Sequence, residues 1–162
     1  MKHLRLWVTL GILGLLAAVG SVALPHAQDA GDRGFSGGSY LTTVKDSAGD
    51  FASRGVITLH ADQTMSVIDS EQEGPTYFFS SQLGSWKPDG NRRIVGRTIN
   101  FHFPQSPGSV VRGDYTISFA QHRSQATGTI TVTTFPLENG NPLDGEGTVI
   151  GTFTFVGELI KP

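Results

Sequence analysis

The chain has no cysteine in its 162 residues, which excludes a disulfide framework, a thiol nucleophile and a cysteine-ligated zinc site. It has no excess of positive charge: 12 Lys and Arg stand against 14 Asp and Glu. A nucleic-acid binder would normally carry a basic face, so that class is set aside. Beyond residue 38 no window of eleven or more residues spaces its apolar positions as a helix does. No Gly-x-Ser-x-Gly leads into a helix as a nucleophile elbow requires, and the phosphate-cradling glycine signatures are missing. None of Asn91, Asn100, Asn139 and Asn141 is followed two positions later by Ser or Thr, so none is a glycosylation acceptor.

What the sequence does have begins with an address. Lys2, His3 and Arg5 form a positive head, an apolar run extends from Leu6 to Leu24, and small residues follow at Ser21, Ala23 and Ala27. That order is the pattern of a secretory signal peptide over residues 1–27, and it predicts a secreted or periplasmic protein. Cleavage after Ala23 has the better small–x–small pattern, whereas cleavage after Ala27 leaves a polar mature end. The run also approaches the ~20 residues that span a bilayer, so an uncleaved anchor is the competing expectation. Loss of Lys2 and Arg5 would take the formal net charge from −2 to about −4 and leave a mildly acidic domain with no membrane segment. All ten phenylalanines would remain, with Trp86 as the single tryptophan.

Residues 28–38 are polar and glycine-rich without periodicity, and are read as a linker. Over 39–162 period-two alternation and β-branched residues recur. Strands are expected at 39–45, 55–60, 65–69, 77–79 with 83–87, 93–103, 110–120, 127–135 and 148–159. Pro88-Asp89-Gly90-Asn91 is the clearest turn, since proline pre-sets one backbone angle and glycine accepts positive φ. About eight strands with short connections must pair antiparallel, because a parallel crossover needs a dozen or more residues. The fold class is therefore all-β, a single antiparallel up-and-down barrel after the leader. A sandwich with Greek-key links shares the same periodicity and competes with it. Closure removes both unpaired edges, and eight strands enclose room for side chains or one small ligand.

Gly84-Ser85-Trp86 resembles the Gly-x-Trp element of lipocalin barrels. The run Gly55…Thr58-Leu59-His60-Ala61-Asp62, then Phe79…Leu83-Gly84-Ser85-Trp86, then Phe101, is similar to exported bacterial proteins of the calycin type. That type comprises lipocalins, fatty-acid-binding proteins and avidins, with the similarly shaped allene oxide cyclase-like barrels. Here the triplet sits mid-chain instead of on the first strand, and no helix candidate lies beside the barrel. The resemblance implies the barrel alone, and no functional residue is carried over from it.

Several groups invite chemistry. His60, His102 and His122 lack the paired spacing of metal ligands, so no metal and no cofactor is expected. Arg112-Gly113-Asp114 spells an adhesion tripeptide but falls at a strand start, and Asp144-Gly145-Glu146-Gly147 lacks the oxygen run of a calcium loop. On 93–103, Val95, Arg97, Ile99, Phe101 and Phe103 share one side, with Ile94, Thr98, Asn100 and His102 on the other. A half-buried strand puts its apolar side inward by default, so Phe101 and Phe103 are expected inside. The leading expectation is a barrel that binds a small, mostly apolar molecule, walled by Trp86, Phe101, Phe103, Tyr115, Phe119, Phe153 and Phe155. The alternative is a cofactor-independent cyclase or isomerase of the kind the allene oxide cyclase-like resemblance implies. Its cavity would order a flexible substrate, with Asn100, His102 and Tyr115 steering protons or charge. A structural secreted domain with a filled core is the third possibility.

Overall fold

The computed structural model describes residues 37–72, 78–103 and 108–162. The expected signal peptide, and the expected linker apart from Gly37 and Gly38, lie outside the described residues. Eight strands follow in order: β1 (Gly38–Lys45), β2 (Phe51–Leu59), β3 (Thr64–Asp69), β4 (Gln82–Pro88), β5 (Arg93–His102), β6 (Ser109–Phe119), β7 (Gln125–Pro136) and β8 (Thr148–Leu159). One short 3₁₀ turn, Gln121–Arg123, links β6 to β7.

Each strand pairs antiparallel with its sequence neighbour, and β1 pairs with β8 from Tyr40↔Leu159 to Lys45↔Thr154. The result is a closed up-and-down barrel, so the sandwich alternative is excluded. Closure satisfies the backbone groups that an open sheet would leave bare on its two edges. Two register shifts interrupt the ladders. One makes Ala52 an extra residue opposite Val44 and Lys45, and the other makes Ile150 extra opposite Val132 and Thr133. Such bulges bend a strand and re-aim its side chains, and both lie at the same end of the barrel.

The two ends are built differently. At one end the connections are short. Asp62 Oδ1 accepts from Thr64 N and Thr64 Oγ1 in the β2–β3 turn. Gly90 takes φ 87° in the β4–β5 turn, which Asp89 and Arg93 brace with a 2.7 Å ion pair. Inside this end Tyr40, Leu59, Met65, Trp86, Ile94, Ile117, Phe119 and Phe155 form a solid apolar core. Tyr40 and Phe119 meet with ring centroids 5.6 Å apart, and Tyr40 donates its hydroxyl to the Arg123 carbonyl at 3.2 Å. Trp86 Nε1 donates to the His60 carbonyl at 3.1 Å, so the Gly-x-Trp tryptophan helps stopper the barrel.

The opposite end carries the longer connections, including residues 137–147 between β7 and β8. This last connection folds back over the outer face. Arg112 and Arg97 both donate to Asp114, at 2.8 and 2.7 Å, and reach the carbonyls of Pro142 and Leu143 at 3.0 Å. The Arg112 guanidinium also lies 5.1 Å from the centre of the Phe135 ring. Phe135 and Thr133 are therefore buried although their side chains leave the barrel wall. The Arg112-Gly113-Asp114 tripeptide is held in β6 by these contacts.

Two expectations are corrected here. The second strand starts at Phe51, not at Gly55. The run at 77–79 is reduced to a single antiparallel bridge, Phe79↔His102, with Tyr77 outside the described residues.

Candidate functional site

Strand alternation decides which side chains reach the interior, and residues directly opposite across a ladder share a face. On β6 the inward set is Val111, Gly113, Tyr115, Ile117 and Phe119. The first four face Asn100, Thr98, Gly96 and Ile94 on β5, by the register Asn100↔Val111, Thr98↔Gly113, Gly96↔Tyr115 and Ile94↔Ile117, and the Phe119 N–H donates to the Arg92 carbonyl in the turn. The polar side of β5 thus faces inward, against the default expectation. Thr98 is 0% exposed and Asn100 5%. Phe101 and Phe103 are 43% and 50% exposed and stack on each other outside, with ring centroids 6.3 Å apart.

Above the apolar stopper the barrel is hollow. A cavity of about 610 Å³ reaches the end that carries the longer connections, within the size range of small-molecule sites. Its apolar lining includes Val44, Ile57, Val67, Phe79, Ile130 and Phe153. Interleaved with these are Thr42, Ser53, Asp69, Gln82, Asn100, His102 and Tyr115, with Asp46 and Glu71 completing the carboxylates.

One hydrogen-bonded cluster organises the polar wall. Gln82 Oε1 accepts from Tyr115 OH at 2.7 Å and from Thr98 Oγ1 at 2.8 Å, joining β4, β5 and β6. Gly113 makes the cluster possible: a Cβ there would stand 2.8 Å from Tyr115 Cε2 and 2.9 Å from Thr98 Oγ1. Burial pushes the Tyr115 hydroxyl well above its ordinary pKa; hydrogen bonds with Thr98 and Gln82 oppose the shift, and the Asp69 charge adds to it. The phenol is therefore a neutral donor.

A second cluster holds Asp69. Its Oδ2 accepts from Ser53 Oγ at 2.7 Å and its Oδ1 from the Glu71 backbone N–H at 2.9 Å. Thr42 donates to the Gly55 carbonyl at 3.0 Å. Asp46 Oδ1 is occupied within its own turn, accepting from the Ala48 and Asp50 N–H groups. Asn100 lines the cavity, and its amide makes no hydrogen bond among the described residues.

The expected wall residues separate into three groups. Tyr115 and Phe153 line the cavity. Trp86, Phe119 and Phe155 belong to the solid core beneath it. Phe101 and Phe103 lie on the outside, so their placement in the wall is corrected; β5 follows the parity of its neighbours, and five outward positions on one strand do not override two ladders. Asn100, His102 and Tyr115, expected together only for an enzyme, line one cavity. His60 and His122 sit in turns at the other end, and no group of three or more potential metal ligands gathers among the described residues.

Asp69, Gln82, Thr42, Ser53 and Glu71 were not singled out from sequence. A signal existed for two of them. Asp69 continues the parity of Met65 and Val67, and Gln82 that of Gly84 and Trp86, so each shares a face with a residue recognisable as core. Comparison of the chain with family models, curated proteins and solved structures finds no match.

Proposed function

We propose that this protein binds a small, mostly apolar molecule inside the hollow half of the barrel, outside the cytoplasm. The observation that carries the reading is the cavity itself, open at one end and closed at the other by Trp86, Phe119 and Phe155. A purely structural domain gains from filling such a space, because each void forfeits packing contacts. Apolar walls with a few fixed polar groups are what small-molecule sites use for affinity and orientation. An eight-stranded barrel is large enough inside for one small ligand, and residues 1–27 supply the pattern of an export signal.

Native mass spectrometry of the protein purified from its host tests this, with a co-purifying small-molecule mass as the expected result. Phe153→Ala should weaken retention of that molecule, whereas Phe101→Ser, on the outer face, should leave it unchanged. Failure of the protein to retain its own ligand or any apolar probe would remove the reading.

A second reading has one observation behind it: Asn100, His102 and Tyr115 line the same cavity. The protein would then be a cofactor-independent cyclase or isomerase. Rate would come chiefly from holding a flexible substrate in a reactive conformation, with the neutral Tyr115 phenol donating a hydrogen bond and His102 moving a proton. The readings separate on turnover. His102→Ala abolishes it if the barrel is an enzyme, while a binding barrel returns its ligand chemically unchanged.

A further inference from the structure

The chemical class of the ligand follows from the charges the cavity contains. Among the described residues three carboxylates line it, those of Asp46, Asp69 and Glu71, and no Lys or Arg does. His102 is the one basic side chain on the lining among the described residues. The arginines of the nearby outer face are engaged elsewhere, Arg97 and Arg112 with Asp114 and the 137–147 connection. A fatty acid or other anion entering this cavity would lose its hydration without meeting a cation to replace it. It would also approach like charge, which disfavours the charged form.

A second observation points to a ligand independently of the carboxylates. Asn100 is 5% exposed and faces the cavity, yet its amide has no hydrogen-bond partner among the described residues. The residue is enclosed while its amide stays open to the hollow, where a bound molecule can supply the partner that such groups normally have. That amide can accept through Oδ1 and donate through Nδ2, so the choice of ligand charge falls to the carboxylates. Asp69 offers a further acceptor, oriented by Ser53 Oγ and the Glu71 N–H.

We propose that the ligand is an apolar molecule bearing an amine that is protonated at neutral pH, its ammonium seated against Asp69 and Glu71 and its body against the apolar wall. Ammonium carries hydrogen-bond donors only, which suits a lining of carboxylate and amide acceptors. This assignment rests on the cavity-binding reading and narrows it from any apolar molecule to a cationic amphiphile.

The test is a matched series of decylamine, decanol and decanoate, measured by isothermal titration calorimetry on the wild-type protein at neutral pH. Decylamine should bind at least about tenfold tighter than decanol, a difference of ~1.4 kcal/mol, and decanoate should bind weakest. Asp69→Asn should shrink the amine-to-alcohol ratio several-fold. Asp144→Asn removes an exposed carboxylate that is not part of the lining, and should leave the ratio as it is. Equal binding of all three probes, or a preference for decanoate, would overturn the amine assignment while leaving interior binding in place. Binding of none would overturn both. If Asp69→Asn fails to fold, Glu71→Gln carries the same comparison, and an unchanged ratio in it counts against the proposal.

Discussion

The Tyr115 hydroxyl donates to Gln82 Oε1 at 2.7 Å, reaching from β6 to β4 across the strand that separates them. Thr98, on that intervening strand, donates to the same oxygen at 2.8 Å. Three neighbouring strands therefore converge on one amide oxygen at the floor of the polar wall.

Gln82→Leu leaves both hydroxyls without this acceptor and should cost about 1–3 kcal/mol. Tyr115→Phe removes a single bond and should cost about 1 kcal/mol. Because the two residues share one interaction, the double variant should lose less than the sum of the two. Urea unfolding with an unchanged m-value measures all three. Strict additivity would show that the bond contributes nothing to the folded state.

The tyrosines give a signature at alkaline pH. Burial raises the Tyr115 and Tyr40 hydroxyls above the ordinary value of 10.0; Arg123 partly offsets the shift at Tyr40, as Thr98 and Gln82 do at Tyr115. In both, the folded pKa exceeds the unfolded one. The stability this represents is complete below pH 10.0 and is lost as pH rises through the folded values. The chain has three tyrosines, so phenolate absorbance should show at most one ionising near its ordinary pKa in the folded protein. The remaining two should ionise higher, together with loss of near-ultraviolet circular dichroism. Simultaneous ionisation of all three with the fold intact would contradict this.

The outer face supplies a third expectation. Arg112 joins Asp114, the Pro142 carbonyl and the Phe135 ring, and so holds the 137–147 connection against β5–β7. Arg112→Ala should speed amide hydrogen exchange across 137–147 and expose that connection to proteolysis. Arg112→Lys should rescue little, since a point charge cannot reproduce a planar group that binds a carboxylate, a carbonyl and a ring at once. Exchange as slow as in the wild type would mean that the connection is held by its apolar contacts alone.

Local chemistry made most of the strands legible. Alternation marked β3, β5, β6, β7 and β8 to within two residues at either end, and Pro88-Asp89-Gly90-Asn91 and Ala61-Asp62-Gln63-Thr64 marked turns that are present. The face of β6 was also legible, because Tyr115, Ile117 and Phe119 alternate with Thr116 and Ser118 and are buried. The start of β2 was not, since Ala52 is the extra residue of a bulge that breaks the period between Phe51 and Ser53. The face of β5 was read the wrong way round. Counting apolar residues favours Val95, Ile99, Phe101 and Phe103, yet Ile94, Thr98 and Asn100 are the buried ones. The candidate site depends on that strand, so from sequence Asn100 and His102 enter only through the enzyme alternative, and Asp69 and Gln82 do not enter at all.

Periodicity along the chain, read by itself, determined that this is an all-β protein of about eight consecutive antiparallel strands, because the two-residue repeat of a pleated strand is written in each segment locally. Tertiary structure alone decided which side of β5 faces inward. The inward rings of Tyr115 and Trp86 both stand opposite Gly96, where an added Cβ would lie 2.8 Å from Met65 Sδ. Shifting β5 by one residue would invert every side chain on it and drive bulk into that space. Pairing with neighbours on both sides therefore outweighs the strand's own apolar count, and it turns Thr98, Asn100 and His102 toward the hollow.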